Sequence, residues 1–269
     1  MPRIFTTSSW LFPPQTREVQ FDEKWAFVGK KEKHCKPDNP ADAQQGDNWD
    51  HVAFDPEHRL VVSVLPAKRT TENLQELVND FKRRTQGRVM NLITTDEYLA
   101  YETVILKAYG EEVRPGRTGK PGRPKKPYRA PPPALNYATV SKTREKGRVV
   151  KIDYRVVFGT MAAVMAALAS SKVSKAINTA FVERHNGTDR NRNSRKVRKT
   201  YCFSKDWQIH EAVTYLTMYS YNFCWPVRTL RVQRPDGTWE RQTPAMSAGL
   251  TDHVWPLAEW LTCPAVQRK

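Results

Sequence analysis

Three acidic residues stand where a carboxylate can do chemistry. Asp22 lies inside the run EVQFDEKWAFVG (18–29), with Phe21, Trp25 and Phe27 around it. Asp96 follows VMNLITT at what reads as the end of a strand, and Glu183 follows INTAFV at the head of a basic segment. An isolated carboxylate is costly to take out of water, so an acid embedded in an apolar strand calls for a partner or a metal ion. Asp96 occupies the kind of strand end where α/β sheets place functional groups, although an acid there also suits a helix N-cap. For Glu183 the alternative is a first-turn acid favoured by the helix dipole. As a trio they suit phosphodiester chemistry, which can use two divalent cations about 3.5–4 Å apart, one at the attacking oxygen and one at the leaving oxygen. Two Mg²⁺ ions are the expected occupants, because Mg²⁺ prefers oxygen ligands and keeps several waters, with Mn²⁺ as a substitute. Without cations the carboxylates would repel one another, so stability should depend on metal or on protonation. Glu23 and Glu97 adjoin the aspartates, but Glu23 on an extended strand points to the face opposite Asp22.

The elements that must position these acids can be read along the chain. The aromatic and β-branched run 18–29 is a strand, and the polar stretch 31–48 is a loop. DHVAF and RLVVSVL, joined by DPEH, form a hairpin. Leu74, Leu77, Val78 and Phe81 recur at helical spacing over 71–84, closed by Gly87. VMNLITT is a buried strand, and Tyr98, Tyr101, Ile105 and Ala108 mark a second helix ending at Gly110. Residues 111–134 carry no apolar period and read as an exposed insertion. LNYATV and GRVVKIDYRVVFG form another hairpin, and Met161, Val164, Met165 and Leu168 a core stripe of a helix. INTAFV reads as a short strand, Ile209, Val213 and Leu216 as the stripe of a longer helix at 205–222, and a Trp- and Pro-rich tail follows. Strands feeding a β–α–β crossover predict an α/β layer on a mixed sheet.

Charge says what such a site would act on. The chain of 269 residues has a formal net charge of +16. Residues 113–150 hold eleven Lys and Arg against Glu145 alone, and residues 184–205 hold eight against Asp189 alone. The rest of the chain carries 25 basic and 26 acidic residues, so a near-neutral body bears two concentrated basic segments, the footprint of a polyanion-binding protein. The longest uncharged apolar run, between Arg155 and Lys172, is shorter than the roughly 20 residues a membrane span needs. No secretion signal is visible at the N-terminus, and a cytoplasmic location is expected. Cys35, Cys202, Cys224 and Cys263 are too scattered for a zinc ribbon or a disulfide scaffold. Trp225, Trp239, Trp255 and Trp260 are expected in a core or a subunit contact.

Four ordered blocks, QFDEKWAFVGKK, TTDEYLAY, FVERHNGTDRNRNSRKVRKTYCFSKDWQIH and TPAMSAGLTDHVW, resemble the catalytic half of bacterial insertion-sequence transposases of the InsB type. The resemblance runs from about Glu18 to Trp255 and implies an RNase H-like fold of the DDE transposase class. It implies that Asp22, Asp96 and Glu183 are the metal-binding triad. It also implies that Arg190, seven residues after Glu183 and on the same helix face, contacts DNA, with Asn186 on that face holding DNA or a metal-bound water. Water would cut a transposon end, and the freed 3′-hydroxyl would attack target DNA in line, with no covalent protein–DNA intermediate. No His-x-His pair or Arg–His–Arg set points to the rival tyrosine chemistries. Only 17 residues precede the first strand, so an upstream targeting module is expected on another reading frame, on a separate protein, or lost.

The expected organisation is an extension at 1–17, the first part of the catalytic domain at 18–110, a basic insertion with hairpin and helix at 111–176, completion of the domain at 177–224, and the tail at 225–269. Arg184, Arg192, Arg195, Lys196, Arg198 and Lys199 are expected to join Arg190 and Asn186 on double-stranded DNA, both transposon ends and target. So are Lys120, Arg123, Lys125 and Lys126, where KPGRPKK resembles an AT-hook core that lies in a narrow A·T minor groove. A homo-oligomer associated with the bacterial nucleoid is expected. The rival readings are an RNase H-like nuclease that does not join strands and a degenerate or domesticated chain that only binds DNA.

Overall fold

The computed structural model describes residues 15–116 and 126–263. Its first strand, β1 (Glu18–Val28), is buried along most of its length, as its aromatic and β-branched residues require. β2 (Gly46–Asp55) and β3 (Leu60–Ala67) follow as antiparallel neighbours. β2 starts earlier than the apolar run DHVAF suggests, because Asp47 and Asn48 pair with Phe27 and Ala26 and continue the ladder to the end of β1. In α1 (Thr71–Arg84) the predicted stripe of Leu74, Leu77, Val78 and Phe81 is buried. Thr70 caps it by accepting from the Asn73 amide, and Gly87, at φ +75°, donates to the Lys82 carbonyl beyond its end. β4 (Leu92–Asp96) starts later than the run 89–95 implies, with Met90 buried before it. α2 (Ala100–Tyr109) follows as expected.

The insertion is less plain than its sequence. β5 (Glu111–Val113) and β6 (Tyr128–Ala130) pair antiparallel at its base, and both short strands are largely exposed, as expected of the insertion. Lys120, Arg123 and Lys125, with most of the AT-hook-like segment, lie outside the described residues, and Lys126 is exposed. β7 (Tyr137–Glu145) and β8 (Arg148–Phe158) form the expected hairpin. Its two-residue turn, Lys146 and Gly147, has φ of +47° and +80°, the left-handed pair that matches the twist of a tight hairpin. In α3 (Met161–Ser170) Val164 and Leu168 are buried, but Met161 and Met165 are about half exposed, so the stripe is only partly core.

No strand forms at INTAFV. Its last three residues are the first turn of α4 (Ala180–Arg192), because the side chain of Gln20 satisfies the free amides of that turn. α5 (Trp207–Cys224) also differs from its expected face. Ile209 and Leu216 are exposed, and His210, Thr214, Tyr215, Met218, Tyr219 and Tyr221 are buried, because this helix packs on charged groups as well as apolar ones. The tail forms a ribbon of β9 (Val227–Gln233) and β10 (Trp239–Gln242), then α6 (Pro244–Ser247) and α7 (Leu257–Thr262). Trp260 is buried, whereas Trp225 and Trp239 are exposed under the guanidinium groups of Arg192 and Arg231. All four cysteines are free thiols.

The main sheet has the order β3-β2-β1-β4-β7-β8, with β1, β4 and β7 parallel and the other pairs antiparallel. On one face Val19, Phe21, Ala53, Leu60, Val62 and Ile93 pack under α1 and α2. On the other, Val52, Phe54, Val61 and Val64 meet Val182 of α4 and Tyr215, Met218 and Tyr219 of α5, while Leu92, Ala138 and Val140 meet α3. This is a six-stranded mixed sheet flanked by helices, compatible with an RNase H-like fold. Among the described residues no helix is long and apolar enough to cross a membrane.

Candidate active site

Register brings the two aspartates together. In the parallel β1–β4 ladder Gln20 lies beside Thr94, and two residues further along the same face stand Asp22 and Asp96. From β1 the chain turns back to β2 on one side, and from β4 it passes by way of α2 to β7 on the other. α4 lies over that face of β1 and repeats its spacing. Gln20 accepts from the Phe181 and Val182 amides at 3.2 and 3.0 Å and donates to the Asn178 carbonyl at 2.8 Å. One turn on, the Asn186 amide donates to Asp22 Oδ2 at 2.7 Å. Lys24 then meets Asp189.

Glu183 is in the first turn of α4 and accepts from Thr179 Oγ1 at 2.6 Å and from the ammonium of Lys142 on β7. Asp96 accepts from the Tyr98 amide at 3.2 Å, a turn just before α2; the helix itself has Leu99 in its capping position, so Asp96 is not its N-cap. Glu23 does point to the opposite face, where it is buried and paired with Arg69 at 2.9 Å, and Glu97 is exposed. Arg69, which the sequence did not single out, stacks on the rings of Tyr98 and Trp49 and lowers the pKa of Asp96 by its charge.

Asp22 feels the charges of Asp96 and Glu183, and Asp96 that of Glu183. Burial, with the neighbouring charges of Glu23, Asp96 and Glu183, pushes Asp22 up to about 7. Burial also raises Asp96, and Glu183 adds to that, while the Tyr98 amide and Arg69 pull it back. Repelling carboxylates of this kind are the donor chemistry that a hard divalent cation relieves. Among the described residues no three His, Cys, Asp or Glu side chains surround one point, and Glu183 is paired with Lys142. The pKa of Asp22 has a direct consequence for stability. Because its folded value lies above the ordinary 3.8, its contribution is fully present below that pH and is lost as pH rises towards about 7. Without divalent cations, the stability of wild type relative to Asp22→Asn is expected to fall between pH 4 and pH 7, and Mg²⁺ or Mn²⁺ to reverse the fall. A difference that stays flat with pH, followed by thermal unfolding, would show that Asp22 carries no such charge.

Beneath α4 lies a group of charges that the sequence did not reveal as a unit. Lys24 pairs with Asp50 at 3.1 Å and with Asp189, and Lys196 pairs with Asp50 at 2.7 Å and bonds Thr214 Oγ1 at 2.7 Å. All four charged side chains are almost wholly excluded from solvent. Burial would raise the pKa of Asp50, but Lys196 and Lys24 hold it well below the usual carboxylate range. This corrects the assignment of Lys196 to DNA: it is a buried partner of Asp50. Asn186 is likewise buried and turned to Asp22. Of the remaining basic candidates, Arg184, Arg198 and Lys199 are exposed and Arg190, Arg192 and Arg195 are half-buried. Arg192 stacks on Trp225 with its guanidinium 4.2 Å from the ring centre. Arg190 makes no ion pair among the described residues and lies within electrostatic reach of Asp22 and Arg198.

No protein-family model matches this chain, and no curated protein matches it.

Proposed function

We propose that this chain is the catalytic domain of a DDE transposase, with the sheet and helices read as an RNase H-like fold. The observation that carries the proposal is the meeting of Asp22 and Asp96 on neighbouring parallel strands, with Glu183 of α4 close enough to perturb both. Divalent cations bound by these carboxylates, two Mg²⁺ or Mn²⁺, would supply charge neutralisation at the attacking and leaving oxygens of a phosphodiester.

The chain's own part is placement. Asn186 fixes the rotation of Asp22 through its amide, and the Tyr98 N–H fixes Asp96. Gln20 ties the first turn of α4 to β1 and so sets the position of Glu183 against the aspartates. Arg190, which makes no ion pair among the described residues and lies within electrostatic reach of Asp22, is the group we assign to a DNA phosphate beside the scissile bond, and Arg184, Arg198, Lys199 and Lys126 extend the contact along the backbone. The substrates are double-stranded transposon ends and target DNA. The active form is a homo-oligomer.

The test mixes a labelled duplex carrying a free 3′-hydroxyl end with supercoiled plasmid in Mg²⁺. Label joined to plasmid is the expected product. Nicked plasmid without label would favour a nuclease that does not join strands, and DNA binding with neither product would favour a chain that only binds.

A further inference from the structure

We infer that β8 is an interface for a second copy of this chain, the two strands pairing antiparallel about a two-fold axis at Ile152. β8 is the last strand of the sheet, and among the described residues only β7 pairs with it. It is eleven residues long and carries no proline, one of the guards of a free edge, although its ladder with β7 has a β-bulge at Val150. Val149, Val150, Ile152 and Tyr154 are 42–53% exposed, an apolar load that an isolated edge strand does not need.

The occupant follows from the order of charges along the strand. With Ile152 opposite Ile152 of the second copy, Lys151 of each chain faces Asp153 of the other, and Val150 faces Tyr154. Both cross-strand pairs are of a favourable kind, and the symmetry makes each occur twice. Centring one residue earlier would set Lys151 against Lys151, and one residue later Asp153 against Asp153. A half-step slip would set Val150 against Asp153 or Arg155. Parallel in-register pairing would stack like on like at every position. Of these registers only the Ile152-centred antiparallel one opposes Lys151 to Asp153 and matches the apolar residues; a Tyr154-centred register would instead oppose Asp153 to Arg155 and leave Lys151 against Val157. Lys151 and Asp153 already attract each other within the chain at 2.9 Å, on the same face of the strand. Lysine in mid-edge is a common guard against pairing, but here the aspartate two residues on makes the edge complementary to itself.

The joined sheet would have twelve strands and run unbroken from one copy to the other. At about 4.8 Å per strand spacing, the two β4 strands with their Asp96 residues would lie roughly 24 Å apart. The inference does not rest on the chemistry proposed above, and its test contains neither DNA nor divalent cation, so its failure leaves that chemistry untouched.

The test is sedimentation equilibrium of the full chain at micromolar concentration and low salt. Wild type is expected to be a dimer. Lys151→Glu and Asp153→Lys, each folded by circular dichroism, are expected to dissociate about tenfold more readily, because each turns two attractive pairs into repulsive ones. The double variant carrying both substitutions restores opposed charges and is expected to return to the wild-type association. A monomeric wild type, single variants that associate as well as wild type, or a double variant no better than the singles would overturn the interface.

Discussion

Lys24→Met is expected to cost about 3–5 kcal/mol of folding stability, the scale of removing one partner from a buried ion pair. Lys24 sits in the middle of β1 with its side chain fully excluded from water, between Asp50 directly opposite on β2 and Asp189 on α4. The substitution keeps the bulk of the side chain and removes the charge, so Asp189 and Asp50 are left to share Lys196 alone. Removing Lys24 and Asp189 together leaves the balanced pair of Asp50 and Lys196. The double variant Lys24→Met/Asp189→Leu is therefore expected to recover most of the loss in urea unfolding. A single variant within about 1 kcal/mol of wild type, the scale of an exposed pair, would show that these charges are not buried together. The sign with pH is opposite to that of Asp22. Asp50 and Asp189 are held below their ordinary value, so the network's contribution is present above about pH 4 and is lost as the pH falls through the folded values.

Asp96→Asn is expected to lower the rate of strand joining by at least about 10³-fold, the upper range for loss of one preorganised electrostatic group. Asparagine keeps the size of the side chain and its oxygen can still accept from the Tyr98 amide, so the turn into α2 should hold its form. What it removes is the negative charge that, beside Asp22, is assigned to cation binding. DNA affinity is expected to change little, because the basic residues assigned to DNA lie on α4, beyond it and at Lys126, and none of them acts on Asp96. Joining by Asp96→Asn at a tenth of the wild-type rate or better, in a single-turnover assay, would remove Asp96 from the chemistry.

How far the sequence could be read depended on whether partners were near or far along the chain. β1, β4, α1 and α2 follow from local period, which places Asp22 inside one strand and Asp96 at the end of another; their register in the β1–β4 ladder comes only from the fold. INTAFV is apolar enough for a strand, yet becomes helix because Gln20, more than 150 residues away, satisfies its amides. Lys196 sits in a basic run and reads as a DNA contact; only the fold shows Asp50 waiting for it across the α4 layer. Lys24 was legible in part, since a lysine two residues after Asp22 must share its face of the strand, but its partners lie on β2 and α4. The same holds for Lys142, which a hairpin of β7 and β8 carries to Glu183. Side-chain periodicity finds elements, and long-range charge pairing needs their arrangement.

Glu183 is the acid on which the account depends most, because in this structure it is held by Lys142 and stands apart from the aspartates' own contacts. The decisive measurement is the initial rate of labelled-end joining by Glu183→Gln against wild type, in Mg²⁺ and at matched DNA occupancy. Loss of joining with DNA binding retained, as with Asp96→Asn, is the expected result. Joining at the wild-type rate would contradict the assignment of Asp22, Asp96 and Glu183 to one cation-dependent site.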